Sequence, residues 1–224
     1  MRGNVDKQTT RIVLIRHGQT AWNKVVRFRG QADPPLDDVG LRQARATADY
    51  VRGRWPVAAV YSSPMGRAME TAGAVARAHD LRVHPSGALL DIDFGEWQGL
   101  TPDEVRTRYP GLLHAWIEKP HTVQIPGGES LAVVHDRVTG GLSSVGDRHR
   151  GQTVAMVGHN VVNRVLLCAI LGLGIDRFWH LRQDTCAINV FDIGADGQAT
   201  VTVLNETCHL VHPRSLTARW APSG

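Results

Sequence analysis

Three short stretches of this chain carry residue types that chemistry uses, and each follows an apolar run. Ile12 to Ile15 leads into Arg16, His17 and Gly18; Val57 to Tyr61 leads into Ser62 and Ser63, with Arg67 just beyond; Thr153 to Val157 leads into Gly158, His159 and Asn160. Arginine presents a planar, permanently charged fork that matches phosphate oxygens. A neutral imidazole can attack phosphorus, and with a reference pKa of about 6.5 its charge state follows small changes in its surroundings. Two arginines and two histidines at the ends of apolar runs therefore suit capture of a dianion and covalent attack on it. Helix starts after Ser63 and Asn160 would add unpaired backbone N–H groups, and a glycine at 18 would leave room for a phosphate to approach the backbone.

The elements that must position these residues alternate along the chain. The three apolar runs are short and bounded by polar or turn residues, as inner strands of a parallel sheet are. Between them, "DDVGLRQARATADYVRGR" has apolar residues at roughly helical spacing, with Asp37 or Asp38 as N-cap. "SSPMGRAMETAGAVARAHD" starts a helix with Ser63 as N-cap and Pro64 at the first helical position. Leu131, Val134, Val138, Leu142 and Val145 mark an amphipathic helix over 129–146, and another helix begins near Asn160. "CAINVFDI" and "ATVTVLNETCHL" read as two strands joined by the turn "GADGQ". The pattern predicts an α/β fold with three layers, α/β/α, around a mainly parallel sheet, and ligands of such sheets bind beyond the carboxyl ends of the strands. The expected organisation is a flexible leader at 1–10, a single domain over 11–212 and a tail at 213–224. Within the domain, 101–128 is expected to be a helical lid insertion, in which Trp116 packs and His121 lies at the surface.

Composition narrows the function classes. With 224 residues and 42% hydrophobic content, the chain can bury a sizeable core. The longest apolar run, Val165 to Ile175, is far short of the roughly 20 residues that cross a bilayer, and the start "MRGNVDKQTT" is polar, so a cytoplasmic protein without membrane contact is expected. Cys168, Cys186 and Cys208 are widely spaced, which predicts reduced, buried thiols. A net charge of +4 with scattered arginines favours a small anionic ligand over nucleic acid. His79, His84, His114 and His121 show no metal-ligand spacing, so no metal is expected.

"RHGQTAWN" resembles the signature of the histidine phosphatase superfamily, in its phosphoglycerate mutase-like branch. Further stretches resemble that family in its own order: "GQADPPLDDVGLRQA" its substrate loop, "YSSPMGRAMETA" its second-arginine motif, "DIDFGEWQG" its acid motif, "PGGES" the start of a long helix and "VGHN" its second-histidine motif. The resemblance implies a phosphohistidine at His17, with Arg16, Asn23, Arg67, His159 and Asn160 around the phosphoryl group and no cofactor. It places Asp91 where the family has a glutamate as general acid, with Asp93 and Glu96 nearby. Gln31 in the substrate loop, Glu96 and His209 are further candidates for substrate recognition. Roughly thirty residues separate Gly99 from Glu129, which is short for a mutase and favours water as acceptor. The expected activity is hydrolysis of a small phosphorylated metabolite, such as a sugar phosphate, phosphoserine or a phosphoglycerate-type ester, and the subgroup resembles metal-independent phosphoserine phosphatases and α-ribazole phosphatases. The alternatives are a mutase-type phosphotransferase or a catalytically impaired phosphate-binding protein. A homodimer through the terminal strand is a further expectation.

Overall fold

The computed structural model of the chain describes residues 9–23 and 27–210. The expected tail at 213–224 lies outside them, as does the expected leader apart from its last two residues.

The first apolar run becomes β1 (Thr10–Arg16), which is buried on both faces. Asp37 caps α1 (Asp38–Arg54) by accepting from the Gly40 amide at 2.9 Å. Next come β2 (Val57–Ser62), α2 (Gly66–Ala78) and a short β3 (Val83–Pro85). Two small helices, α3 (Pro102–Arg108) and α4 (Pro110–Glu118), precede α5 (Leu131–Arg148), β4 (Thr153–Gly158) and α6 (Asn160–Ile170). A hairpin of β5 (Ile188–Ile193) and β6 (Ala199–Glu206) follows.

The sheet order is β3-β2-β4-β1-β5-β6. The first four strands run parallel, and β5 and β6 are antiparallel additions that place β6 at one edge. Side chains of successive strand residues point to opposite faces, and β1 shows it: Val13 and Ile15 join the core beneath α1 and α2, while Ile12 and Leu14 join the core beneath α5 and α6. The three-layer expectation is met. The 101–128 insertion is helical, and its inner face packs into the second core. Trp116 is 3% exposed and packs edge-on against Trp97 and near Phe178.

Two local expectations are corrected and one strand is added. Helix α2 starts at Gly66 with Met65 as its cap, not at Pro64 with Ser63, because the Ser63 amide donates to Val157 O at 3.0 Å and stays with the sheet. Strand β3 carries little apolar pattern and was not anticipated; its three residues hang on β2 as an edge. Cys208 is exposed, beside Tyr50 Oη at 3.4 Å, whereas Cys168 and Cys186 are buried as expected.

Candidate active site

Strands β1 and β4 are parallel neighbours, with Arg16 opposite Gly158. Their ends therefore set His17 and His159 side by side, with ring centroids 5.0 Å apart. The backbone around His17 is clamped: its amide donates to Gly158 O at 3.0 Å and its carbonyl accepts from the Cys186 amide at 3.3 Å. Gly18 has a reason within the fold that the sequence did not show. A Cβ there would come within 2.7 Å of Gly40 O, so the approach of α1 by itself demands glycine.

The His17 ring is fixed in one tautomer. Its Nδ1 lies 2.7 Å from Gly18 O, and a carbonyl can only accept, so Nδ1 carries the proton and Nε2 carries the lone pair. Arg67 Nε donates to that Nε2 at 3.3 Å. Burial first, and then the charges of His159, Arg67 and Arg16, hold His17 well below the usual 6.5 for an imidazole. His159 is depressed likewise, by burial and then by Arg67 and Arg16, and neither of its ring nitrogens has a hydrogen-bond partner among the described residues.

Arg67, fully buried in the first turn of α2, is oriented by the loop before α1: Nη1 donates to Ala32 O at 2.8 Å and to Asp33 Oδ1 at 3.2 Å, and Nη2 donates to Gly30 O at 3.1 Å. Asp33 Oδ2 also accepts from the Gly66 amide at 2.6 Å, which ties that loop to the start of α2. Arg16 donates through Nη1 to Gln183 O at 2.6 Å, while its buried Nε has no hydrogen-bond partner among the described residues; burial lowers its pKa to about 10.

Asp91 is the carboxyl that lies between Arg67 and His159. Its Oδ2 lies 3.4 Å from Arg67 Nη2 and 3.8 Å from His159 Nδ1. Burial raises its pKa above the ordinary carboxylate value, and it prevails over the opposing pull of Arg67, Arg29 and Arg16. The segment that carries Asp91 is irregular and is held from α5. Arg137 donates to Ala88 O at 3.1 Å and Leu90 O at 2.8 Å, while Glu129 pairs with Arg137 at 2.9 Å and accepts from the Asp93 amide at 2.9 Å. That bracing accounts for "PGGES". Asp93 itself turns to the Gly95 amide at 2.8 Å.

The remaining candidates divide into near and far. Asn23 accepts from the Thr20 amide at 2.8 Å and from Thr20 Oγ1 at 3.0 Å, which ties down the turn after His17. Asn160 opens α6 with its buried Oδ1 unpartnered. Gln31 exposes its side chain and makes a backbone bond to Gln98 Oε1 at 3.0 Å. Glu96, also exposed, accepts from Tyr109 Oη at 2.5 Å. His209 bonds Thr47 Oγ1 at 3.0 Å and stacks near Tyr50, on α1. Arg29 was missed. It reaches Thr20 Oγ1 at 3.4 Å, and its charge acts on Arg16, Asp91 and His159. Its only signal in the sequence was a second arginine in "RFRG", two residues before Gln31. Three guanidiniums, set against the Asp33 carboxylate, two neutral imidazoles and an Asp91 carboxyl inclined to stay protonated, still leave net positive charge, suited to a dianion.

Comparison with known proteins agrees with this chemistry. Residues 12–207 match the model of the histidine phosphatase superfamily, branch 1. Phosphoserine phosphatase 1 of Hydrogenobacter thermophilus is 38% identical over 89% of this chain and 94% of its own. Bacillus stearothermophilus YhfR superposes with a TM-score of 0.85 at 30% identity, covering 90% of this chain and 100% of that one. A mycobacterial glucosyl-3-phosphoglycerate phosphatase superposes at 0.81 and 26% identity, over 89% and 100% of the two chains. A family match across most of the chain and a relative aligned over nearly its full length establish that the protein is a phosphatase belonging to branch 1 of the histidine phosphatase superfamily.

Proposed function

We propose that the protein hydrolyses a small phosphomonoester without a metal, through a phosphohistidine on Nε2 of His17. The observation that carries this reading is the His17 tautomer: a neutral ring whose lone-pair nitrogen faces Arg67 beside a protonatable Asp91. In the first step the Nε2 lone pair attacks phosphorus and the P–O bond to the substrate alcohol breaks. The departing oxygen takes the Asp91 proton. In the second step water attacks phosphorus, its proton passes to the Asp91 carboxylate, and the N–P bond breaks to release inorganic phosphate. Arg16, Arg29 and Arg67 supply charge to the phosphoryl oxygens, which is most of what a loose phosphoryl-transfer transition state needs. His159, Asn23 and Asn160 complete the cup.

The substrate class is a small phosphorylated metabolite, in line with the phosphoserine and glucosyl-3-phosphoglycerate named for the relatives. The test is phosphate release in EDTA from phosphoserine, α-ribazole 5′-phosphate, 3-phosphoglycerate, its glycosylated derivatives and several sugar phosphates, with His17→Ala as blank. One ester turned over well above the others identifies the substrate, and His17→Ala should fall below about a hundredth of the wild-type rate. Activity that requires an added metal, or that survives in His17→Ala, contradicts the reading.

A further inference from the structure

Strand β5 breaks its own pattern at one residue. Ile188, Val190 and Phe191 are buried apolar residues, yet Asn189 between them is also fully buried, and asparagine is disfavoured in strands. A buried amide costs stability unless every donor and acceptor is met, and an apolar residue would fill the space more cheaply. Asn189 meets all four of its hydrogen-bonding positions. Its Nδ2 donates to Gln183 Oε1 at 2.8 Å and to Leu14 O at 3.2 Å; its Oδ1 accepts from Gln183 Nε2 at 2.9 Å and from the Asn205 amide at 2.9 Å. Gln183, 3% exposed, spends its second amide proton on Arg182 O at 2.8 Å. The two side chains thus form a closed, reciprocal amide pair in which neither can flip without setting oxygen against oxygen.

This pair fixes the backbone that holds Arg16. Gln183 O is the acceptor for Arg16 Nη1 and anchors that arm of the guanidinium, whose buried Nε has no hydrogen-bond partner among the described residues. The next residues of the same loop bind the same strand end: Ala187 O accepts from the Arg16 amide at 3.1 Å, and the Cys186 amide donates to His17 O. Asn205, from β6, adds a second tie, with Oδ1 accepting from the Asp184 amide at 2.8 Å and Nδ2 donating to Asp184 Oδ2 at 2.9 Å. We propose that Asn189 and Gln183 are positioning residues that hold the Arg16 guanidinium at the phosphoryl site through the Gln183 carbonyl. The inference rests on the reading of Arg16 as a phosphate ligand.

The test is a double-mutant cycle on the full chain with Asn189→Leu, Arg16→Met and the double variant, and Gln183→Met as a second way to break the pair. Two quantities are read: kcat/KM for p-nitrophenyl phosphate, and the dissociation constant for orthovanadate measured by calorimetry, which needs no turnover. Asn189→Leu and Gln183→Met should each weaken vanadate about tenfold and lower kcat/KM by a similar factor, as misplacing a positioned group does. In the Arg16→Met background either change should add less than about twofold, because the group acted upon is gone. A tenfold loss repeated in both backgrounds would mean that the pair supports the fold generally, and the proposal falls. It also falls if neither substitution moves vanadate binding. Should Asn189→Leu not fold, Gln183→Met decides by the same criteria. Failure of the phosphohistidine reading shows separately, as a wild type no faster than His17→Ala.

Discussion

The two sides of the active site are built differently. Arg16, His17, Arg67 and His159 come from the ends of regular β–α units, where one parallel register delivers them together. Asp91, Arg29 and the Gln183 carbonyl come from irregular segments pinned by contacts distant in sequence: Arg137 reaches Leu90 O across 47 positions, and Arg16 reaches Gln183 O across 167. In the proposed mechanism the regular side supplies the nucleophile and two of the three guanidiniums. The irregular side would supply the proton, the charge of Arg29 and the fine placement, and this division predicts which losses depend on the substrate and which do not.

The largest contrast should come from Asp91→Asn. For esters with poor leaving groups it should cost about a hundredfold or more in kcat, and far less for p-nitrophenyl phosphate, whose leaving group needs little protonation. The pH profile sharpens the point. Asp91 has a raised pKa and in the proposed mechanism acts as acid when protonated, so the wild-type rate on poor leaving groups should fall as pH rises through that pKa. The variant should lack this alkaline limb, and equal losses on both esters would move the acid elsewhere.

Arg29→Met should raise the inhibition constant of inorganic phosphate about tenfold, the scale of one charge-assisted hydrogen bond. Because Arg29 also holds the Asp91 pKa down, its removal should shift the alkaline limb upward; an unmoved limb would sever that link.

These two variants mark the boundary of what the sequence made readable. Arg16, His17, Arg67 and His159 were readable because an apolar run that stops on a cation or an imidazole is a local pattern, and a parallel sheet turns three such patterns into one place. Arg29 was not, because nothing local separates it from Arg27, and only the folded loop sets its charge against Asp91. Asn189 was likewise hidden inside "CAINVFDI", since its partner Gln183 lies in a loop whose path the periodicity does not specify. The constraint that Gly40 places on Gly18 was hidden for the same reason, because it comes from across the fold.

A smaller effect concerns stability. The folded pKa values of His17 and His159 are depressed below 6.5, so the folded state binds fewer protons there than the unfolded chain. Their contribution is present above pH 6.5 and is lost as pH falls from there toward the depressed values. The melting temperature should drop over that range, and less steeply in His17→Asn; identical slopes would contradict the burial argument. The smallest expected change is Glu96→Gln, under about twofold on any ester, since Glu96 serves Tyr109 at the surface. A large loss there would move chemistry to the irregular side's outer edge.

The most direct test of the central claim is to trap the phosphoenzyme. A rapid mix of enzyme with phosphorus-32-labelled phosphoserine, or whichever ester the panel selects, is quenched in alkali and mapped by peptide. The account predicts an acid-labile, base-stable label on His17 at its Nε2, formed within the first turnover and absent from His17→Ala. Label on another residue, or steady turnover with no labelled protein at any time, would contradict it.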